Sequence, residues 1–457
     1  MKYNLLNSPW IHVIYKDSRT AWLSIFELMN EIRSVNLAYC NPMDKIAVFR
    51  FLLALSYWCY NNTGLEIEDR TIPQKWIVFL KEKTELFNLL GEADRFLQQD
   101  DLRRTRTITE LFHEFPKGNN FWHFNHIREY AAGICTRCLV PGILRLNLFF
   151  LGGTPDLKSG INGVPPIYAI FLGDSIVDAI LRNWDPIEPL GHPVWEEAYN
   201  YNDDEFVPLV AGMTVPARRL HVGDPIESDL PCIICGSKEN KLHFACKFEA
   251  AQSLNNQKWI EPFAIYRDDK TIKTSDITKS SSLSNDFKVW ELLYYFKQKR
   301  ELRAGDRILL VGLATDNAKF ADLWEQTIVI PTENFIEDNI DTLSSLRDSV
   351  NRMKTFTYVP KDVDYKRYKK TKDNIRNIFL PSNTAIINNQ IEDMLTEQFV
   401  LDHVAIHYIE TAKAGARLLI RGQGVQQFKH REMIANSLPE FKFEKVEEEG
   451  GDDDQSK

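Results

Sequence analysis

No apolar run in this sequence approaches the ~20 residues needed to cross a bilayer. The stretch Phe49 to Tyr60 is too short and reads as a buried helix. Positive charge is not in excess: the formal net charge is −9. That argues against free-standing, non-specific binding of polyanions, while leaving room for a local patch or for one subunit of a larger ribonucleoprotein. Catalytic signatures are missing too. There is no phosphate-binding loop, no G-x-S-x-G elbow, no H-E-x-x-H helix and no dinucleotide fingerprint, and Gly152-Gly153 is not continued by a further glycine pair. The histidines are scattered, and Asp203-Asp204 lies in a polar loop without a metal partner evident nearby. The expectation is a protein that is not an enzyme. A cryptic nuclease built from distant carboxylates is the least favoured alternative. The opening Met1-Lys2-Tyr3-Asn4 does not read as a signal segment. The expected compartment is therefore the cytoplasm, where thiols stay reduced and paired cysteines act as metal ligands rather than disulfides.

The 457 residues, 44% hydrophobic and 26% charged, have the composition of a soluble globular protein with a large core and two or more domains. Of the 7 cysteines, four form two short pairs, Cys135-Thr136-Arg137-Cys138 and Cys232-Ile233-Ile234-Cys235, the latter followed by Gly236. C-x-x-C lets two thiolates from one turn reach the same ion, and two such knuckles fill a tetrahedral zinc site with no position left for water. The expected cofactor is one structural zinc that staples two distant loops. Four buried free cysteines are the alternative. Cys40, Cys59 and Cys246 stand alone and are expected in the core. Arg137 and Lys238 are expected to offset part of the −2 charge of a four-thiolate zinc.

The expected fold class is α+β. Pro9-Trp10-Ile11-His12-Val13 reads as a strand, followed by a turn at Lys16-Asp17-Ser18 and a second strand that enters a helix at Ser24. Asn41 and Pro42 cap and start the next helix, which Asn61 to Gly64 ends. Pro73 to Asn88 has helical spacing. Between 116 and 166, Gly, Pro, Asn and aromatics dominate, the texture of long functional loops. Strands are expected at Leu242 to Phe244, Trp259 to Tyr266, Arg307 to Gly312 and up to Ile330, with a helix near Trp290 to Phe296 and a loop at Thr315-Asp316-Asn317. The domain reading is a mixed α/β N-terminal body over 1–330, a C-terminal helical bundle over 331–445, and a disordered acidic tail over 446–457.

Several of these features together resemble the large subunit of the type I-E CRISPR Cascade complex, the CasA family. They are Asn4-Leu5-Leu6 with Pro9 to Val13, the Pro42-Met43-Asp44 helix start, two knuckles with Lys158-Ser159-Gly160 between them, Pro216 to His221, Asp224-Pro225, and Gly312 to Asn317. The resemblance implies a non-catalytic subunit of a crRNA-guided surveillance complex. Such a subunit reads the protospacer-adjacent motif (PAM) on double-stranded DNA, helps open the duplex and recruits a helicase-nuclease in trans, with crRNA-bound Cascade subunits as partners and no membrane. Protein then reads a few base pairs, while base pairing reads the long sequence.

The resemblance also implies contact residues. In the loop entering the first knuckle these are His123, Phe124, Asn125 and Arg128, near the PAM and the guide's 5′ end; aromatics packed on their own domain are the alternative. Gly152, Gly153, Thr154 and Lys158 match a glycine loop for the minor groove, although Thr154, Pro155 and Asp156 replace expected glycines, and plain turns compete. Lys247 matches a minor-groove lysine, with Lys241 or a solvated role as alternatives. Asp316, Asn317 and Lys319 match a later DNA-contacting loop, or an ordinary turn. Arg103, Arg104 and Arg106, and the Lys366 to Lys372 cluster with Tyr365 and Tyr368, are basic patches that track a phosphate backbone or line solvated faces. The rival to DNA reading is a zinc-stapled scaffold that holds partner proteins.

Overall fold

The computed structural model describes residues 2–91, 95–112, 115, 133–150, 161–199, 206–251, 258–267, 269–273, 289–316 and 319–330, without the side chains of 289–291 and 314–322. The expected C-terminal bundle, the acidic tail and the Lys366 to Lys372 cluster lie outside these residues. The chain divides into two units, Met1–Ser275 with Asp306–Ile328, and Asp276–Gly305 with Val329–Lys457.

The first unit opens with β1 (Tyr3–Asn4), β2 (Ile11–Tyr15) and β3 (Thr20–Leu23), then α1 (Ile25–Glu31) and β4 (Val35–Leu37). Ser24 caps α1 in a reciprocal box with Glu27. The central element is α2 (Pro42–Thr63), 22 residues long. Asn41 accepts from the Met43 amide at its start, and Gly64 ends it at φ 64°, the left-handed C-cap that glycine fits. It is buried nearly all round, so it has no polar face to show. Trp58 meets Phe79 and Trp195, while Phe51 meets Trp10 and Phe96. Each such side chain contributes roughly 1.5–3 kcal/mol by burial.

Then follow α3 (Gln74–Glu82), β5 (Asn88–Leu90), β6 (Thr105–Thr107), α4 (Thr136–Arg145), β7 (Tyr168–Leu172), α5 (Ile176–Arg182), α6 (Leu209–Thr214), β8 (Arg218–Val222), β9 (Ile226–Glu227), β10 (Lys241–Leu242), β11 (Ala245–Ala250), β12 (Tyr266–Arg267) and β13 (Lys270–Thr271), of which α3, α4 and α6 pack on α2. The strands form small sheets rather than one large one, ordered β1-β5, β3-β2-β4, β6-β11-β8, β10-β9 and β12-β13. A further sheet is β15-β14-β7, with β14 (Arg307–Asp316) and β15 (Lys319–Val329). In the second unit, α7 (Val289–Lys297) buries Leu292, Leu293 and Phe296, and the Gly305 amide donates to the Ile330 carbonyl.

Four expectations change. The helix expected from Pro73 to Asn88 stops at Glu82; a 3-10 turn, Thr84–Phe87, then leads into β5, which pairs with β1. Trp259 to Tyr266 is not a strand. A turn closes through the Ala264 amide on the Glu261 carbonyl, and regular pairing starts only at Tyr266. Pro262 inside the segment has no amide to give a ladder. Thr315 and Asp316 belong to β14 rather than to a loop. Finally, α4 falls where loop was expected. Its Gly142 allows close packing, since a Cβ there would lie 2.6 Å from the Phe112 ring.

Candidate metal centre and nucleic-acid interface

The first cysteine pair sits at the start of α4. Cys135 is the N-cap residue in extended conformation, and Cys138 lies in the first helical turn. The second pair is a tight turn, closed by the Gly236 amide on the Cys232 carbonyl at 2.8 Å and by the Cys232 amide on Ser237 O at 2.8 Å. Gly236 has φ 69°, which favours glycine. The backbone joins the two knuckles directly. The Ile233 amide donates to Gly133 O at 3.0 Å, and Ile134 and His243 exchange two amide hydrogen bonds of 2.9 Å. A Cβ on Gly133 would come within 2.8 Å of Leu242 and Phe244, so only glycine allows this approach.

The result brings the four sulfurs of Cys135, Cys138, Cys232 and Cys235 within 4.8 Å of one another. Zn–S bonds of about 2.3 Å in a tetrahedron place sulfurs about 3.8 Å apart; Cys135 and Cys235 Sγ are 3.7 Å apart. The Cys135 amide also donates to Cys232 Sγ at 3.3 Å, the kind of bond that supports a metal-bound thiolate. Cys135, Cys138 and Cys232 are buried and Cys235 is exposed. With no cation the thiols of Cys138 and Cys232 are driven apart in acidity. Hydrogen bonds from the Cys135 and Cys138 thiols push Cys232 down, whereas bonds to Cys135 and Cys232, then burial, push Cys138 up. A divalent cation removes this conflict by letting all four ionise, so the donor set fits zinc.

His243 is the member of this site that spacing did not single out. Its Nδ1 lies 3.0 Å from Gly223 O and its Nε2 3.1 Å from the Thr136 hydroxyl, so the buried ring ties the second knuckle's strand to the first knuckle. Burial pushes its pKa down to about 4. An unfolded histidine titrates near 6.5, so the neutral ring contributes stability above that pH, which is lost as pH falls towards about 4. The expected loss is ~1.4 kcal/mol per unit across that window. Urea unfolding at a series of pH values checks it, and His243→Asn should flatten that part of the profile.

Arg137 does feel the cysteines, through Cys135 and Cys235, but it is shared with a carboxylate, and one expectation about burial is corrected. Arg137 is already engaged: it pairs with Glu239 and its guanidinium lies over the Trp22 ring, 5.1 Å from the centroid. Trp22 stacks in turn on His12. Cys40 is exposed, whereas Cys59 and Cys246 are buried as expected.

Of the residues matched to DNA contact, Lys247 is fully described. It lies midway along β11, facing Thr105 of β6 and His221 of β8 in register. Lys241 begins the short β10, on a different sheet. Asp316 ends β14 and Lys319 begins β15, their side chains outside the description. His123, Phe124, Asn125, Arg128, Gly152, Gly153, Thr154, Lys158 and Asn317 lie outside the described residues. The Arg103 to Arg106 cluster is partly committed to the protein. The Arg103 and Arg104 amides donate to Glu249, and Arg106 pairs with Glu110 while stacking on Phe248. Among the described residues, no helix is long and apolar enough to cross a membrane.

The family model described as CRISPR-associated protein Cse1 matches residues 4–358. The chain is also similar to solved structures. A Thermus thermophilus CasA has 13% identity over 96% of this chain and 99% of that one, with a TM-score of 0.66. Thermobifida fusca Cse1 has 12% identity over 95% and 93%, with a TM-score of 0.61. A chain of a CRISPR RNA-guided surveillance complex has 11% identity over 96% and 99%, with a TM-score of 0.65. At such identities the likeness is one of fold. None of the curated proteins matches by sequence.

Proposed function

The chain belongs to the CRISPR-associated protein Cse1 family, and from that premise we propose that it is the large subunit of a crRNA-guided surveillance complex that reads the PAM on duplex DNA. In this reading it acts without catalysing a reaction, helps open the duplex beside the PAM, and offers a docking surface to a helicase-nuclease that acts in trans. One structural zinc, held by Cys135, Cys138, Cys232 and Cys235, braces the loops that meet DNA and does not contact a base itself. The observation that carries the reading is the family match over residues 4–358. The fold likeness to a chain of a guide-bound complex supports it. A subunit of net charge −9 suits this role because neighbouring subunits share the phosphate contacts.

Lys247 is the reader most open to test. It is half-buried on a sheet rather than on a mobile tail, so little side-chain and backbone freedom is lost when it enters a groove. In the assembled complex, Lys247→Ala is expected to weaken binding to a preferred PAM about tenfold and to flatten the preference across a randomised PAM library. Asn317→Ala should alter the preference as well. An unchanged preference in both variants would remove them as readers. If preference then tracks no residue of this chain, the scaffold reading takes its place.

A further inference from the structure

Side chains of the sheet β6-β11-β8 divide by face. Leu220, Val222, Cys246 and Phe248 are buried on one side. Strand alternation turns Lys247 to the other, level with Thr105 of β6 and His221 of β8. The chain at 98–101 runs along the outer edge of β8. There the Gln99 amide donates to Leu220 O at 2.8 Å, and the Val222 amide donates to Gln98 Oε1 at 2.8 Å. This sets Asp100 and Asp101 beside the open face.

The charges next to Lys247 on β8 are already matched. Arg219 pairs with Asp101 at 3.1 Å and with Glu249 at 2.9 Å. His221 Nδ1 lies 2.9 Å from Asp100 Oδ1. Among the described residues the Lys247 ammonium has no ion-pair partner. An unmatched ammonium beside neutralised neighbours is where this part of the surface attracts a polyanion.

His221 adds what a lysine lacks. An ammonium only donates. The Asp100 carboxylate favours the proton on Nδ1, so the neutral ring offers Nε2 as an acceptor. Among the described residues Nε2 has no partner either. Residues opposite each other on neighbouring strands have Cβ atoms about 4.5–5.5 Å apart, so the two side chains can reach one base pair or two successive ones. The hydrogen-bond donors that base pairs present in the grooves are exocyclic amino groups, that of guanine in the minor groove and those of adenine and cytosine in the major. We propose that His221 is a specificity-determining residue, accepting at Nε2 from such an amino group next to the base that Lys247 contacts. The proposal rests on the assignment of Lys247 to the PAM duplex under the proposed function. A step that offers only acceptors satisfies the lysine and leaves Nε2 unpaired, so it is disfavoured.

The test uses the complete guide-bound complex and duplexes carrying its preferred PAM. One amino group at a time is deleted, by inosine for guanine, purine for adenine or pyrimidin-2-one for cytosine. One deletion should weaken binding by the wild type about fivefold to tenfold more than binding by His221→Leu, the worth of one hydrogen bond. An effect of inosine places His221 in the minor groove, and an effect of the other two in the major. His221→Gln, whose amide oxygen can accept, should restore part of the difference. Asp100→Ala, at a side chain 86% exposed, should narrow it with little change in the Tm of the free subunit. Tm and zinc content measured for each variant separate lost recognition from lost folding. If every deletion costs the wild type and His221→Leu the same, His221 reads no amino group and the proposal is overturned. Lys247→Ala tests the assignment beneath it. A PAM preference that survives Lys247→Ala overturns that assignment. A preference lost in Lys247→Ala, with deletions still costing the wild type and His221→Leu equally, overturns the role of His221 alone.

Discussion

Cys232→Ser is expected to abolish stoichiometric zinc and to loosen the region around both cysteine pairs. The purified wild type should carry about one zinc per chain by elemental mass spectrometry, and the variant close to none. Structural zinc in small domains has an apparent binding free energy of about 10–16 kcal/mol at neutral pH, part of which is folding energy. Here a large core supports the fold independently, so the expected effect is a low-temperature local transition rather than global unfolding. It should involve the two knuckles, the amide bridge between Ile134 and His243, and the start of α4. Hydrogen exchange should show lost protection over 133–139 and 231–244, while α2 stays protected. PAM discrimination by the assembled complex should disappear, although no cysteine contacts a base in this reading. Cys40→Ser is the control, because that thiol is exposed and distant in sequence from both pairs; it should change neither zinc nor stability. A soluble, well-folded wild type free of metal would refute the clasp.

Arg50→Met should cost about 3–5 kcal/mol, the range for removing one partner of a buried ion pair. Arg50 projects from α2 and is 1% exposed, as is Glu261. Its Nη2 donates to Glu261 Oε2 at 2.7 Å and its Nε to Oε1 at 3.2 Å. The guanidinium also donates to the carbonyls of Met213 and Gly212 at the end of α6. Removing it leaves a carboxylate buried without its cation, and two carbonyls without that donor. Denaturant unfolding measures the loss. The double variant Arg50→Met, Glu261→Gln should be less destabilised than the sum of the singles, because the second change removes the stranded charge. Additive losses would mean that the two side chains are not coupled. The Arg145–Asp44 pair, which ties α4 to α2, obeys the same physics with Asp44 slightly less buried.

Local chemistry was legible wherever it acts over one turn of chain. Ser24 and Asn41 could be read as caps because capping needs only a side-chain oxygen and amides two or three residues on. Gly64 could be read as a stop because a left-handed C-cap favours glycine. The knuckles were legible because C-x-x-C spacing is itself a geometric statement about two sulfurs. Reading failed where a residue's partner is remote in sequence or hidden by packing. Residues 136–145 read as part of a long loop until α4 is seen, with Gly142 packed against Phe112. Arg106 reads as part of a basic patch until Glu110 and the Phe248 ring are seen beside it. His243 carries no signal in sequence, since both of its ring partners, Thr136 and the Gly223 carbonyl, lie far from it along the chain.

The sequence by itself determined the donor chemistry, the helix boundaries that caps and glycines set, the lack of a catalytic motif, and the family, because each depends on residue type and short spacing. Only the tertiary structure decided that the two cysteine pairs meet, with four sulfurs within 4.8 Å. It alone decided that Tyr168 reaches both Leu148 and Asn162, and that Arg50 finds Glu261 across the core. The physical reason is common to all three. Burial makes an unpartnered thiolate, hydroxyl or guanidinium costly, so each must find a partner, and which partner it finds is fixed by how the helices and small sheets pack around α2 rather than by any pattern along the chain.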